Sequence, residues 1–117
     1  MKATDLMIGD WVLNGCSTLM RVTAIFEDGI NGVCEGGEWC DLYDVIKPIP
    51  LTPEILEKNG WKGGAGENIR FKSPYIFIKK NDVWTMYYNE ARIVKIRYVH
   101  ELQNIMRITG YQGGFKV

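Results

Sequence analysis

The sequence predicts an α+β protein: a small β-barrel over residues 1–50, followed over residues 51–117 by a helix, an antiparallel β-meander and a C-terminal helix. Three observations carry this expectation. Short runs alternate apolar and polar residues with a period of two and are separated by Asn-Gly, Asp-Gly and Gly-Gly pairs, the pattern of half-buried strands joined by tight turns. Two stretches, 53–59 and 98–109, instead carry helix boundary residues or a helical apolar stripe. With 117 residues, 46% hydrophobic and 24% charged, the composition is that of an ordinary globular domain, which excludes wholesale disorder, a collagen repeat and a bilayer-spanning segment.

Gly9-Asp10 precedes the first strand, Trp11-Val12-Leu13, and Asn14-Gly15 is the strongest two-residue turn signal. Met20 to Phe26 alternates, Asp28-Gly29 turns the chain, the run from Ile30 to Glu35 stops at Gly36-Gly37, and Glu38 to Leu42 returns. Four or five strands in fifty residues favour a barrel, because an open sheet of that size leaves edges to be covered. With turns at Asp28-Gly29 and Gly36-Gly37, Ala24 faces Val33 and Val33 faces Cys40. Val22, Ala24, Phe26, Val33, Cys40 and Leu42 are therefore expected to form the core. Cys34 and Trp39 then share the opposite face with Thr23 and Ile25, and an outward Trp beside an Ile requires a cover.

Pro48-Ile49-Pro50-Leu51-Thr52-Pro53 marks the boundary. Thr52 is an N-cap, Pro53 suits the first helical position, Glu54 favours the positive helix end and Asn59-Gly60 closes the turn, so residues 53–59 are expected to be a short helix anchored by Ile55 and Leu56. Residues 62–67, Lys-Gly-Gly-Ala-Gly-Glu, read as a flexible loop. Strand-like runs follow at 68–72, 75–80, 83–89 and 91–97, with Asn81-Asp82 and Asn89-Glu90 as turns. The last helix, Tyr98 to about Thr109, has a stripe of Val99, Leu102, Ile105, Met106 and Thr109, and Gly110 ends it. The tail from Tyr111 to Val117 has no periodicity and is expected to fray.

Lys plus Arg number 14 and Asp plus Glu number 14, so no net charge announces a partner. The distribution is uneven: residues 1–50 hold three basic and eight acidic side chains, a net −5, and the rest of the chain carries +5. Such asymmetry fits either a basic binding face or two oppositely charged halves that dock on each other. Cys16, Cys34 and Cys40 are an odd number and form no disulfide framework, which fits a reducing cytoplasm. The first ten residues lack the apolar core of a secretory signal, so a cytoplasmic protein with no membrane partner is expected.

His100-Glu101-Leu102-Gln103-Asn104 begins like the zinc-protease motif His-Glu-x-x-His, but Asn104 stands where the second imidazole must be. His100 is placed with Gln103, Asn104 and Arg107 on a wet helix face. Cys16, Cys34, Cys40 and His100 are chemically sufficient for zinc, yet no Cys-x-x-Cys knuckle exists and the register points Cys34 and Cys40 to opposite faces. A cysteine nucleophile would need His100 beside it, Ser17 and Ser73 lack a Gly-x-Ser-x-Gly setting, and the glycines of 63–66 lack the Lys-Ser/Thr pair of a phosphate loop. A non-enzymatic protein without cofactor or metal is expected.

The second half interleaves aromatics with bases: Arg70-Phe71-Lys72, Tyr75, Phe77, Lys79-Lys80, Trp84, Tyr87-Tyr88, Arg92, Lys95 and Arg97. This is the composition of a surface for single-stranded nucleic acid, with Arg70, Lys72, Lys79, Lys80, Arg92, Lys95 and Arg97 as its contacts. It is equally the pattern of a half-buried sheet whose aromatics pack under the final helix. Convergence of the seven cations on one surface discriminates the two.

Gly9-Asp10-Trp11-Val12, leading into Arg21-Val22-Thr23-Ala24-Ile25, resembles the opening of an SH3-like barrel of the KOW type, which implies contact with RNA or the ribosome. Leu51-Thr52-Pro53-Glu54-Ile55-Leu56-Glu57-Lys58-Asn59-Gly60-Trp61 together with Tyr98-Val99-His100-Glu101-Leu102-Gln103-Asn104 resembles, in order and spacing, a family of small uncharacterised proteins of anaerobic gut bacteria. These often lie in prophage-like or mobile genetic regions. The resemblance covers nearly the whole chain and implies an SH3-like N-terminal barrel and a phage-related origin, with no assigned activity. The expected function is a protein-interaction module whose docking surface includes Trp11 and Trp39, with nucleic-acid binding by residues 68–98 as the alternative.

Overall fold

The computed structural model describes residues 1–64, 66–72, 75–89, 91–108 and 114–117. The α+β class holds, with two antiparallel sheets and two α-helices. The chain divides into two compact units, Met1–Ile49 with Tyr98–Tyr111, and Pro50–Arg97 with Gln112–Val117.

In the first unit, β1 (Trp11–Leu13), β2 (Leu19–Ile25), β3 (Gly29–Cys34) and β4 (Gly37–Leu42) pair in chain order as an antiparallel meander. A 3-10 turn at Tyr43–Val45 then leads to Lys47, whose N–H and C=O exchange bonds of 3.0 and 2.9 Å with Leu13. Asn14-Gly15 does not close a two-residue turn: residues 14–18 separate Leu13 from its partner Leu19. The buried Asn14 side chain organises this loop by accepting from the N–H groups of Cys16 and Thr18 at 2.9 and 3.0 Å.

The core of this unit is Leu6, Val12, Met20, Val22, Ile30 and Ile46, which corrects the expected set. Ala24, Val33, Cys40 and Leu42 do share a face, because Ala24 lies opposite Asn31 and Asn31 opposite Cys40. That face is the outer one: Val33, Cys40 and Leu42 are exposed, and so is Phe26. The cause is a bulge. The register shifts between Val22 and Ala24, so Val22 pairs with Gly32 and joins Met20 and Ile30 inside while Ala24 turns out. One inserted residue reverses the in-out parity of everything beyond it. The fit within β3 depends on missing side chains. A Cβ on Gly32 would stand 2.4 Å from Met20 Cγ, and one on Gly29 would stand 2.2 Å from the Asp41 carbonyl oxygen.

Residues 98–111, assigned to the second half in the sequence reading, group instead with this first unit. They contain α2 (Val99–Ile108), whose first N–H bonds to Ile49 O at 2.9 Å. Val99, Leu102 and Met106 are buried as expected, Ile105 is half-buried, and His100 and Gln103 are buried as well. Thr109, Gly110 and residues 111–113 lie outside the described residues.

In the second unit, α1 (Pro53–Lys58) starts as read: Thr52 Oγ1 accepts from Ile55 N at 3.2 Å, Pro53 takes the first position and Leu56 is buried. The five-stranded sheet is the expected meander with one addition, β5 (Lys62–Gly64), followed by β6 (Gly66–Lys72), β7 (Tyr75–Lys80), β8 (Val83–Tyr88) and β9 (Ala91–Ile96). The expected loop over 62–67 is thus largely strand. Lys62 pairs with Phe71 and Gly63 with Arg70; glycines carry no alternation by which such a strand could be read. Asn81 and Asp82 have φ of 54° and 63°, the left-handed pair of a type I′ hairpin. Ala65, Ser73, Pro74 and Glu90 lie outside the described residues.

The inner face of this sheet, on the side of α1, is an aromatic core. Trp61 and Phe77 have ring centroids 4.6 Å apart, Phe77 meets Trp84 edge-on at 6.1 Å, and the buried Trp84 indole N–H donates to Leu51 O at 3.0 Å. The described tail, 114–117, is held: Asn59 accepts from Lys116 N at 2.8 Å and donates to Lys116 O at 2.7 Å. Among the described residues, no helix is long and apolar enough to cross a membrane.

Gly29→Ala is expected to destabilise the chain by about 2 kcal/mol or more, as overpacking against backbone does, and Thr52→Ala by about 1 kcal/mol through the lost cap. Urea denaturation midpoints measure both, and an unchanged midpoint for Gly29→Ala would contradict the close approach.

Candidate functional site

Alternation along β6 to β9 sorts the second sheet into two faces, and the pairing shows which residues meet. On the outer face one row crosses all five strands: Lys62 opposite Phe71, Phe71 opposite Ile76, Ile76 opposite Tyr87, and Tyr87 opposite Arg92. A second row runs Ile69, Ile78, Thr85, Lys95. Lys80, paired with Val83, continues the same face. Neighbouring strands lie about 4.8 Å apart, which puts Phe71 roughly 10 Å from Tyr87 and Lys62 roughly 19 Å from Arg92 in projection. Phe71, Ile76 and Ile78 are 40%, 44% and 39% exposed, so three large apolar side chains lie together in solvent. Contiguous exposed apolar surface rimmed by charge marks an interaction site. Among the described side chains the rim is all basic: Lys62, Lys80, Arg92 and Lys95.

The end of the first row depends on a second bulge. The register shifts between Met86 and Tyr87, where Met86 meets Val94 but Tyr87 meets Arg92, leaving Ile93 as the extra residue. Without it Ile93 would stand opposite Tyr87, and the row would end on an aliphatic side chain instead of a guanidinium.

The seven cations singled out in the sequence do not converge. Arg70, Lys72 and Lys79 belong to the inner face. Arg70 is buried and ion-paired with Glu57 at 3.0 Å. Lys72 Nζ donates to Asn59 O at 3.2 Å, and Lys79 lies 5.8 Å from the Trp84 ring centroid. Lys80, Arg92 and Lys95 occupy the outer face, and exposed Arg97 follows β9. Lys62 was missed because its segment reads as a loop. Of the interleaved aromatics, Tyr75, Phe77, Trp84 and Tyr88 share the inner side, and only Phe71 and Tyr87 face outward.

Trp11 and Trp39 do not form one surface either. Trp11 pairs with Arg21 and Arg21 with Val33, on the outer face of the first sheet. Trp39 pairs with Gly32 on the other face, at the edge strand, and is 41% exposed.

Three of the first unit's buried polar residues, Asp10, His100 and Gln103, gather where α2 meets the N-terminal segment. Asp10, fully buried, accepts from Met7 N at 2.8 Å and from Arg107 Nη1 at 2.6 Å. Gln103 accepts from Trp11 N at 2.8 Å and donates to Gly9 O at 3.0 Å, a reciprocal clamp on the start of β1. Arg107 is held in turn by Asn104 Oδ1 at 2.8 Å. The side of α2 read as wet is therefore a bonded interior face. His100 is 7% exposed rather than solvated, its ring stacks on Tyr98 with centroids 5.9 Å apart, and its Nδ1 has no hydrogen-bond partner among the described residues. Burial pushes the imidazole below its ordinary 6.5, against the pull of Glu101, Asp10 and Asp5. Burial likewise raises the Asp10 carboxyl above 3.8, opposed by the Met7 N–H and by Arg107.

The cysteines stay apart from this cluster. Cys16 and Cys40 are exposed, and Cys34, half-buried, accepts from Asn14 Nδ2 at 3.3 Å. The register places Cys34 and Cys40 on opposite faces of their hairpin, as the turn positions imply. Among the described residues, no three His, Cys, Asp or Glu side chains gather as metal ligands, and no hydrogen bond joins His100 to a cysteine or serine. Comparison with protein-family models, with curated proteins and with solved structures finds no match to this chain.

The linkage of His100 gives a pH signature. Because the unfolded chain binds that proton more readily, stability is complete above pH 6.5 and falls as pH drops below it; Asp10 acts in the opposite sense, losing stability as pH rises above 3.8. Urea midpoints are expected to fall between pH 7 and pH 5.5, and His100→Gln to flatten that slope. A pH slope that His100→Gln leaves unchanged would contradict the assignment.

Proposed function

We propose that the protein is a non-enzymatic binding module that takes single-stranded nucleic acid across the outer face of β5–β9. The observation that carries this reading is the row Lys62, Phe71, Ile76, Tyr87, Arg92. Single strands are held by bases stacked on aromatic rings and by phosphates met by cations, and stacking tolerates any base because every base has a π-face. The row supplies two rings with a cation beyond each, and Lys80 and Lys95 add charge on the same face. A duplex hides its base faces and has no use for Phe71 and Tyr87. The aliphatic residues between the rings, Ile76 and Ile78, supply apolar floor under the strand. The net charge of +5 in residues 51–117 fits a polyanion, although the chain as a whole is neutral.

Two finer readings accompany this one. The meander β1–β4, the 3-10 turn and the Lys47 bridge back to Leu13 support an SH3-like arrangement of the first unit. Exposed Cys16 and Cys40 support a cytoplasmic protein, since such thiols persist in a reducing compartment.

Anisotropy of labelled single- and double-stranded oligonucleotides at several salt concentrations tests the proposal. Single strands are expected to bind more tightly, with log K falling against log salt at a slope of about −3, near 0.7 for each of the four outer cations. Phe71→Ala and Tyr87→Ala are each expected to weaken binding by roughly 5- to 100-fold. Lys62→Ala with Arg92→Ala is expected to flatten the slope by about 1.4. Absence of binding at low salt, or binding indifferent to all four substitutions, would overturn the proposal.

A further inference from the structure

The first unit ends its sheet in an open strand that the nucleic-acid reading leaves unused. β4 is last in the order β1-β2-β3-β4, so one side of it has no neighbour in the sheet. The antiparallel register decides which groups lie on that side. Tyr43 N–H bonds to Asp28 O, and opposed pairs alternate between bonded and unbonded, so Asp41 opposite Ile30 and Trp39 opposite Gly32 also turn their N–H and C=O toward β3. Glu38, Cys40 and Leu42 point theirs the other way. None of these three makes a backbone hydrogen bond beyond β3 among the described residues, and all three are exposed. Their side chains share one face of the strand, and those of Trp39 and Asp41 share the other. Such a row of unpaired backbone donors and acceptors is a template for an added strand.

Charge selects what can pair there. Residues 22–46 hold Glu27, Asp28, Glu35, Glu38, Asp41 and Asp44 and neither lysine nor arginine. None of these carboxylates is ion-paired among the described residues. Arg21 lies in the same row as Glu38 but two strands away, roughly 10 Å distant. A second copy pairing edge to edge would bring a second set of the same carboxylates to the seam, and like charges brought together cost affinity. The Asp41 carboxylate is fixed in place, since its Oδ2 accepts from Trp39 Nε1 at 2.7 Å and from Gly15 N at 2.8 Å. At the far end of β4, Leu42 is 61% exposed and lines a hollow of about 300 Å³ with Phe26, Asn31 and Cys40, a place for an apolar side chain. An incoming strand thus meets Glu38 on one face and Asp41 on the other. We propose that β4 accepts, as a fifth strand, an extended cationic segment of a partner polypeptide, its backbone paired with Glu38, Cys40 and Leu42 and its lysines or arginines set against Glu38 and Asp41.

The probe is the blocked peptide Thr-Val-Lys-Val-Thr-Lys, titrated into the ¹⁵N-labelled protein. In antiparallel register it sets its first valine opposite Leu42, its first lysine opposite Asp41, its second valine opposite Cys40 and its last lysine opposite Glu38. The amide protons of Glu38, Cys40 and Leu42 are expected to exchange about 10-fold more slowly once roughly nine-tenths of the protein is bound. Glutamate in place of both lysines is expected to weaken binding roughly 10-fold. N-methylation of the second valine, whose N–H points at β4, is expected to weaken it roughly 5-fold or more, whereas N-methylation of the first lysine, whose N–H points away, leaves it unchanged. Cys40→Pro removes an N–H that the β3 ladder does not use and is expected to abolish binding; the pair of N-methylated peptides carries the same test on the unaltered protein. Equal binding of those two peptides, equal binding of the glutamate version, or no change in the three amides at the highest soluble peptide concentration would overturn the proposal. Protection of the same amides that rises with protein concentration alone would make a second copy the occupant and overturn it as well.

Discussion

In each sheet an alternating pattern is interrupted by an inserted residue, and the position of that residue decides what the strands beyond it show to water. In β2 the extra residue is Thr23. It lets Met20 and Val22 face the core with Ile30 while Ala24 turns to the opposite side. In β9 it is Ile93, whose displacement sets Arg92 opposite Tyr87. Because a strand has only two faces, a single insertion is a binary switch for every residue beyond it. The close approach of Gly32 to Met20 belongs to the same constraint, since the core residue that the bulge sends inward needs the space of the missing side chain.

Much of the architecture was legible because it rests on local chemistry. Thr52 and Pro53 start α1 by satisfying or lacking particular N–H groups, and Asn81-Asp82 adopt left-handed φ that few residue pairs tolerate. What sequence could not give was whatever depends on a distant partner. The alternation in β2 correctly grouped Ala24, Val33, Cys40 and Leu42, but an extra residue at Thr23 leaves no local mark, so the inside and outside of the sheet were exchanged. Lys62-Gly63-Gly64 reads as loop because its strand character comes only from pairing with β6. His100 and Gln103 look like residues of a wet helix face until Trp11 N and Gly9 O, some ninety positions earlier, are seen to meet Gln103.

The candidate site shows the same division. A list of basic residues cannot separate cations that hold the fold from cations that face solvent. Arg70 is buried against the half-exposed carboxylate of Glu57 and also donates to Ile69 O at 2.7 Å, so its charge is spent inside the fold. Lys62, at the strand the sequence hid, stands on the open face. The parity of β6 supplied a usable signal: it puts Arg70 and Lys72 on one side and Ile69 and Phe71 on the other. The face holding the apolar residues is the one left in water.

The placement of the four tryptophans has a spectroscopic consequence. Trp11 and Trp39 belong to the first unit and Trp61 and Trp84 to the second, and the second pair is buried to within 3% while Trp39 is open. A neutral water-soluble quencher such as acrylamide will reach Trp39 far more readily than Trp61 and Trp84, which are left emitting at short wavelength from an apolar setting. Each unit therefore carries its own fluorophore colour, and red and blue edges of one emission band can follow the two units separately as the chain is unfolded.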